Sequence, residues 1–133
     1  LDNDPAYPFG FGLSYTTFKY SDFNLSSTEL KGNQTLNASI KVTNSGNYDG
    51  DEVVQLYIRD LVGKVVRPVK ELKGFQKIFL KKGETKTVSF NITPEDLKFY
   101  DDELNFDWEA GEFDIMIGTN SADVKSKRIN WEK

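Results

Sequence analysis

The sequence has neither cysteine nor histidine. Without cysteine there can be no disulfide, no thiolate metal site and no thiol nucleophile. Without histidine, neither a Ser-His-Asp nor a Cys-His catalytic arrangement can be assembled within the chain. No apolar run approaches the ~20 residues that a membrane-spanning helix requires, so no membrane contact is expected. The longest uncharged stretch, Tyr7 to Phe18, is broken by Pro8, Gly10, Gly12 and several hydroxyls. A basic excess is missing as well: 17 Lys and Arg face 21 Asp and Glu, for a formal net charge of −4. Nucleic-acid binders gain much of their affinity by neutralising phosphates, so no nucleic-acid partner is expected. The nearest approach to a basic patch is Lys125, Lys127 and Arg128. The opening, Leu1-Asp2-Asn3-Asp4-Pro5, has no initiator methionine, basic n-region or apolar h-region, and reads as a cut within a longer polypeptide.

What the chain does contain is aromatic and apolar residues in quantity. Its 133 residues suit one domain, and a domain of that size buries roughly two-thirds of its unfolded surface. Aromatics make up 14% of the residues, hydrophobics 38% and charged residues 29%, a balance that belongs to folded rather than disordered chains.

Residues 1–14 are punctuated too densely by proline and glycine for a helix or a long strand, and read as an irregular interdomain linker and docking segment. From residue 15 to 133 the hydrophobic period is two nearly everywhere, the mark of half-buried strands. Between Thr35 and Thr43, Leu36, Ala38, Ile40 and Val42 share one face. After a turn at Asn44-Ser45-Gly46-Asn47, Glu52 to Arg59 is apolar on both faces, which predicts a strand covered on both sides. An extended segment follows at Lys64 to Lys70, where Pro68 favours an edge position. Phe75 to Leu80 and Thr85 to Thr93 form the next strands, joined at Lys81-Lys82-Gly83-Glu84.

Thr93-Pro94-Glu95-Asp96-Leu97 has the form of a helix start, with a capping threonine, proline at the first position and early acids, and predicts one helical turn between strands. Phe99-Tyr100, Asn105 to Trp108, Glu112 to Gly118 and Val124 to Trp131 bring the count to eight or nine short strands. In Thr17 to Leu25 the apolar parity changes, which predicts a bulge or bend at Ser21-Asp22, as where a first strand passes between sheets. The expected fold is all-β, a sandwich of two antiparallel sheets with one helical turn near residues 94–97.

Two acidic clusters, Asp49-Gly50-Asp51-Glu52 and Asp101-Asp102-Glu103, invite a calcium site or a carboxylate pair for glycoside hydrolysis. The first does not fit the helix–loop–helix calcium loop: with Gly50 as the loop glycine, the final bidentate position falls on Leu56. Turn chemistry accounts for both clusters, and neither a metal nor any cofactor is expected. The aromatics Tyr7, Phe9, Phe11, Tyr15, Phe18, Tyr20 and Phe23 could stack on sugar rings, but packing explains them better: Phe18 to Phe23 in the core, Tyr7 to Phe11 across a neighbouring domain. Trp108 and Trp131 are expected in the core or at its rim. Four Asn-x-Ser/Thr sequons, at Asn24, Asn33, Asn37 and Asn91, are taken as chance; Asn37 and Asn91 fall on outward strand positions.

The run from Tyr7 to Phe18, YPFGFGLSYTTF, resembles the segment leading into the fibronectin type III-like domain of family 3 glycoside hydrolases, which include β-glucosidases and β-xylosidases. Four later blocks agree in order: Val42 to Gly46 with Gly50 to Tyr57, Arg67 to Phe75, Lys82 to Thr85, and Trp108 to Gly118. The resemblance implies an immunoglobulin-like, fibronectin type III-like sandwich whose catalytic carboxylates lie in other domains, so no catalytic residue is assigned here. It also implies an accessory module that packs against the catalytic domains of the same polypeptide and stabilises them, in a periplasmic or secreted β-glucosidase-like parent that hydrolyses O-glycosyl bonds. Tyr7, Phe9, Phe11 and Leu13 are the expected docking residues, with Arg67 and Glu71 as polar contacts and glycan a further contact in the parent. Two other readings are an autonomous carbohydrate-binding module, which an exposed row of aromatics would favour, and a general fibronectin-type spacer.

Overall fold

A computed structural model describes residues 16–61, 70–100 and 106–133. Among them are ten strands and one 3-10 turn. The smaller sheet holds β1 (Phe18–Leu25), β3 (Leu36–Asn44) and β6 (Thr85–Ile92), in the order β1-β3-β6. The larger holds β2 (Glu29–Lys31), β4 (Gly50–Asp60), β5 (Lys70–Leu80), β9 (Gly111–Gly118) and β10 (Val124–Glu132), in the order β2-β10-β9-β4-β5. A two-stranded ribbon pairs β7 (Phe99–Tyr100) with β8 (Phe106–Asp107). The two main sheets close on one core, as the sequence period requires.

The core is the sum of the alternating positions. Leu36, Ala38, Ile40 and Val42 of β3 and Val88, Phe90 and Ile92 of β6 meet Val54, Leu56 and Ile58 of β4, Phe113, Ile115 and Ile117 of β9, and Ile129 and Trp131 of β10. Each buried Val, Leu, Ile or Phe among them stabilises the fold by roughly 1.5–3 kcal/mol relative to exposure. The expected covering of β4 on both sides is met: Val53 and Gln55, opposite its core face, are buried too. Trp131 is fully buried, donates its indole N–H to the Gly32 carbonyl at 2.9 Å, and meets the half-buried Trp108 edge-on, ring centres 6.4 Å apart.

The parity change in β1 is a bulge at the expected place. Pairing with β3 runs from Phe18↔Asn44 to Ser21↔Lys41 and resumes at Asn24↔Ser39, so one extra residue sits on β1. Asp22 takes a φ of 53°, a left-handed conformation that short polar side chains tolerate. The extra residue turns Phe23 and Leu25 to the core side already occupied by Phe18 and Tyr20. The crossing between sheets comes later, where the chain leaves β1 after Leu25 and enters β2. β2 is a strand the sequence pattern does not reveal, and it pairs parallel with β10 where the other pairings are antiparallel. The helical turn is a 3-10 turn, Pro94–Leu97, opened by a Thr93 amide that donates to Asp96 Oδ2 at 2.9 Å and fixed by buried Leu97. The extended segment expected at Lys64 to Lys70 lies outside the described residues except for Lys70, the first residue of β5.

Asn44, at the end of β3, is a buried polar hub rather than a simple turn residue. Its Nδ2 donates to the carbonyls of Tyr48 at 2.8 Å and Leu80 at 3.0 Å, and its Oδ1 accepts from the Gly46 amide at 3.1 Å and the Thr16 hydroxyl at 2.7 Å. It thereby locks the β3–β4 turn to the end of β5 and to the approach to β1. The neighbouring glycine is compelled by space: a Cβ on Gly46 would overlap the Thr16 hydroxyl and come within 2.6 Å of the Thr17 amide. Asn44→Ala should cost about 2–4 kcal/mol of unfolding free energy, because it strands buried partners. Asn37→Ala, which loses only an exposed cross-strand bond to Asn91, should stay within about 0.5 kcal/mol. Urea denaturation of both variants checks this, and equal midpoints would refute the hub.

Candidate functional site

Of the expected docking residues, Tyr7, Phe9, Phe11, Leu13 and Arg67 lie outside the described residues. Glu71 is on β5, half-exposed, and pairs with Lys73 at 3.3 Å; the Lys73 ammonium also donates to the Lys98 carbonyl at 3.0 Å. That chain of contacts links β5 to the segment that follows the 3-10 turn.

The acidic cluster at residues 49–52 is dispersed by its strand and turn. Asp49 Oδ1 accepts the Lys82 amide at 2.8 Å, across to the β5–β6 turn. Asp51 faces outward, 4.0 Å from Lys77. Glu52 turns inward, and its Oε2 accepts the Tyr20 hydroxyl at 2.8 Å. The turn and the alternation along β4 thus send three neighbouring carboxylates to three different tasks; turn chemistry suits Asp49, whereas Asp51 and Glu52 belong to a strand and Glu52 points inward. The second cluster, Asp101-Asp102-Glu103, lies outside the described residues.

The Tyr20–Glu52 bond crosses from one sheet to the other at the rim of a cleft of about 320 Å³, lined by Thr16, Thr17, Tyr20, Glu52, Thr119 and Asp123. A second hollow of about 280 Å³ adjoins it over Gly118 and Val124. Burial raises the Glu52 carboxyl above the usual carboxylate range, with the Asp123 charge adding to the shift and hydrogen bonds from Tyr20, Thr119 and the Val53 amide opposing it. Burial also pushes the Tyr20 hydroxyl up, assisted by the Glu52 charge. With its phenol proton held on oxygen, Tyr20 remains a donor to Glu52. The arrangement is a hydrogen-bonded tie between sheets. Glycoside hydrolysis instead uses two carboxyls set on either side of a sugar.

Sequence reasoning did not single out Tyr20 with Glu52, which lie 32 residues apart in the chain. Nor did it mark Leu72, Phe75 and Phe79, large apolar side chains that β5 leaves exposed. Phe75 and Phe79 could have been found from Phe75 to Leu80, where both parities carry apolar residues; Leu72 lies beyond the register shift in β5.

The geometry is that of a fibronectin type III-like sandwich module, with Asn44 and the Tyr20–Glu52 pair tying its two sheets together. The family of fibronectin type III-like domains matches residues 52–121. The chain is 47% identical over its whole length to a putative β-xylosidase of Formosa agariphila, and 51% identical over 92% of its length to a periplasmic β-glucosidase of Salmonella typhimurium. It superposes along its full length on the β-glucosidase of Listeria innocua crystallised with glucose, with a TM-score of 0.82 and 37% identity. This chain therefore belongs to the fibronectin type III-like domain family, in the form carried by family 3 β-glucosidases and β-xylosidases. It spans 18%, 16% and 18% of these three proteins, respectively.

The raised Glu52 carboxyl has a signed consequence. The folded chain holds the Glu52 proton to higher pH than the unfolded chain does, so this group's contribution favours folding at low pH and is lost as pH rises from the ordinary carboxylate range through the raised value. Glu52→Gln keeps an acceptor for Tyr20 and removes the titration. The stability of the variant relative to the unsubstituted chain should therefore improve as pH rises across that window and level off above it. Urea midpoints from pH 4 to 8 (a range of about four units around the carboxylate values) measure the difference, and a flat difference would exclude burial as the cause.

Proposed function

We propose that this chain is a non-catalytic accessory module of a family 3 glycoside hydrolase, packing against and stabilising the catalytic domains of a β-glucosidase-like parent. The observation that carries the reading is one of proportion: the chain aligns end to end with a β-xylosidase and a β-glucosidase, yet fills only 18% of either. The chemistry of such relatives then belongs to the remainder of the polypeptide. The fold supports the assignment: the buried Asp114 is committed to Arg128 at 3.0 Å, and the half-buried Glu52 to Tyr20. Tyr7, Phe9, Phe11 and Leu13 are proposed as apolar docking residues, with Arg67 and Glu71 beside them. Segment 1–14 would then serve as linker and contact strip, and 15–133 as the sandwich.

Removing this domain from the full-length polypeptide should shorten the thermal-inactivation half-life of aryl-glucosidase activity at least about tenfold, the equivalent of about 1.4 kcal/mol in the inactivation barrier. The isolated 133-residue chain should show no aryl-glycoside turnover above background. A truncated enzyme with undiminished half-life, or turnover by the isolated chain, would overturn the proposal.

A further inference from the structure

We propose that the outer face of β5 is a seat for the remaining domains of the same polypeptide, formed by Leu72, Phe75 and Phe79. The proposal rests on the accessory-module reading and assigns its contact surface. Pairing between β4 and β5 fixes which side chains share this face: Asp51↔Phe79, Val53↔Lys77, Gln55↔Phe75 and, beyond a register shift, Tyr57↔Leu72. Ile78 and Leu80, of the opposite parity to Phe75 and Phe79, lie on the core side, and Gly74 faces the Phe90 ring there. Phe75 is 63% exposed, Leu72 51% and Phe79 47%. At about 3.3 Å per residue the two rings stand roughly 13 Å apart along the strand.

This is the wrong side of the sheet for such residues if it faced only water. Antiparallel sheets ordinarily keep one face polar, and edge strands are ordinarily defended by charge. Here the apolar character continues across the same face onto β4 and β9, where Val53 and Met116 are buried and Tyr57 is half-buried. The Tyr57 hydroxyl is already satisfied by Gln55. Lys77, between the rings, is the charge that interrupts the strip.

The extent of the patch selects the occupant. Three side chains at these exposures present about 300 Å² of apolar surface, taking roughly 200 Å² for a fully exposed large side chain. A free complex needs about 800 Å² from each partner, so a second copy of this chain is poorly served. A tethered domain needs less, because the linker supplies a high effective concentration. In the relatives more than four-fifths of the polypeptide lies outside the matched stretch, ample to supply a tethered surface in a parent of that kind. A glycan is the poorer fit: Leu72 offers no flat ring face, and Asp51 and Lys77 on this face are set against each other at 4.0 Å. The partner surface should be apolar, since Lys77 is already answered by Asp51 and Lys70 by the Ser121 carbonyl.

Hydroxyl-radical labelling of the unsubstituted protein gives the direct test. Labelling of Phe75 and Phe79 should fall at least about threefold in the full-length polypeptide relative to the isolated 133-residue chain, as for rings moved from solvent to an interior. The variant carrying Leu72→Thr, Phe75→Thr and Phe79→Thr retains β-forming side chains. Its urea midpoint as an isolated chain should match the unsubstituted one, while the inactivation half-life of the full-length variant should fall about tenfold. Equal labelling in both contexts overturns the seat. If domain removal shortens the half-life and the triple variant does not, the accessory role stands and this face is not its contact. Concentration-dependent dimerisation of the isolated chain, or its retention on insoluble glycan, abolished by the triple variant with no change in full-length labelling, assigns the face to another occupant and also overturns it. A triple variant that fails to fold leaves the labelling result to decide.

Discussion

The closure of a three-stranded sheet over a five-stranded one is the constraint from which the other features follow. Every strand with a strict two-residue period can bury only one face in that closure, so β3 and β6 are polar outward and apolar inward. The larger sheet has a second face to dispose of. Its central strands bury residues on both sides, and its edge strand β5 carries the surplus into view.

Two polar groups caught between the sheets are tolerated because they are answered. Asn44 has four side-chain hydrogen bonds, and Glu52 accepts from a tyrosine on the opposite sheet. Unanswered, either would cost the desolvation of a buried polar group. Close backbone approach is the counterpart of this economy in side chains. A Cβ on Gly118 would overlap the Asp123 carbonyl and lie 2.7 Å from the Val124 Cα, so the tight return from β9 to β10 admits only glycine. The Gly46 and Gly118 positions fall within two of the blocks that carry the family resemblance, and sterics supplies the reason for both.

Much of this was legible in the sequence, and the illegible parts have physical causes. The strands β3 and β6, the 3-10 turn and the bulge in β1 announce themselves through period, capping chemistry and parity. β2 does not, since Glu29-Leu30-Lys31 is a single apolar residue between charges and has no period to detect. Asn44 reads as a turn former because asparagine favours turns through the same amide that here bonds at long range. The face of β5 is obscured because Phe75, Ile78, Phe79 and Leu80 put apolar residues on both parities, and only pairing with β4 shows which ones are left outside. Of the docking residues read from the sequence, Glu71 alone falls among the described residues, and its carboxylate is engaged by Lys73.

The manner in which β5 is protected bears on how its proposed seat would be used. An exposed edge strand offers two surfaces, a row of backbone groups and a side-chain face. The first is compromised here: the Lys86 ammonium donates to the Phe79 carbonyl at 2.7 Å, and the register shift opposite Leu56 and Tyr57 breaks the regular spacing that an added strand would need. The side-chain face has no comparable obstruction. A partner would accordingly be met through Leu72, Phe75 and Phe79 rather than by strand addition. Side-chain docking of this kind discriminates by shape, whereas an open backbone edge accepts any extended chain. Under the proposed accessory role, the module needs the first property and must avoid the second.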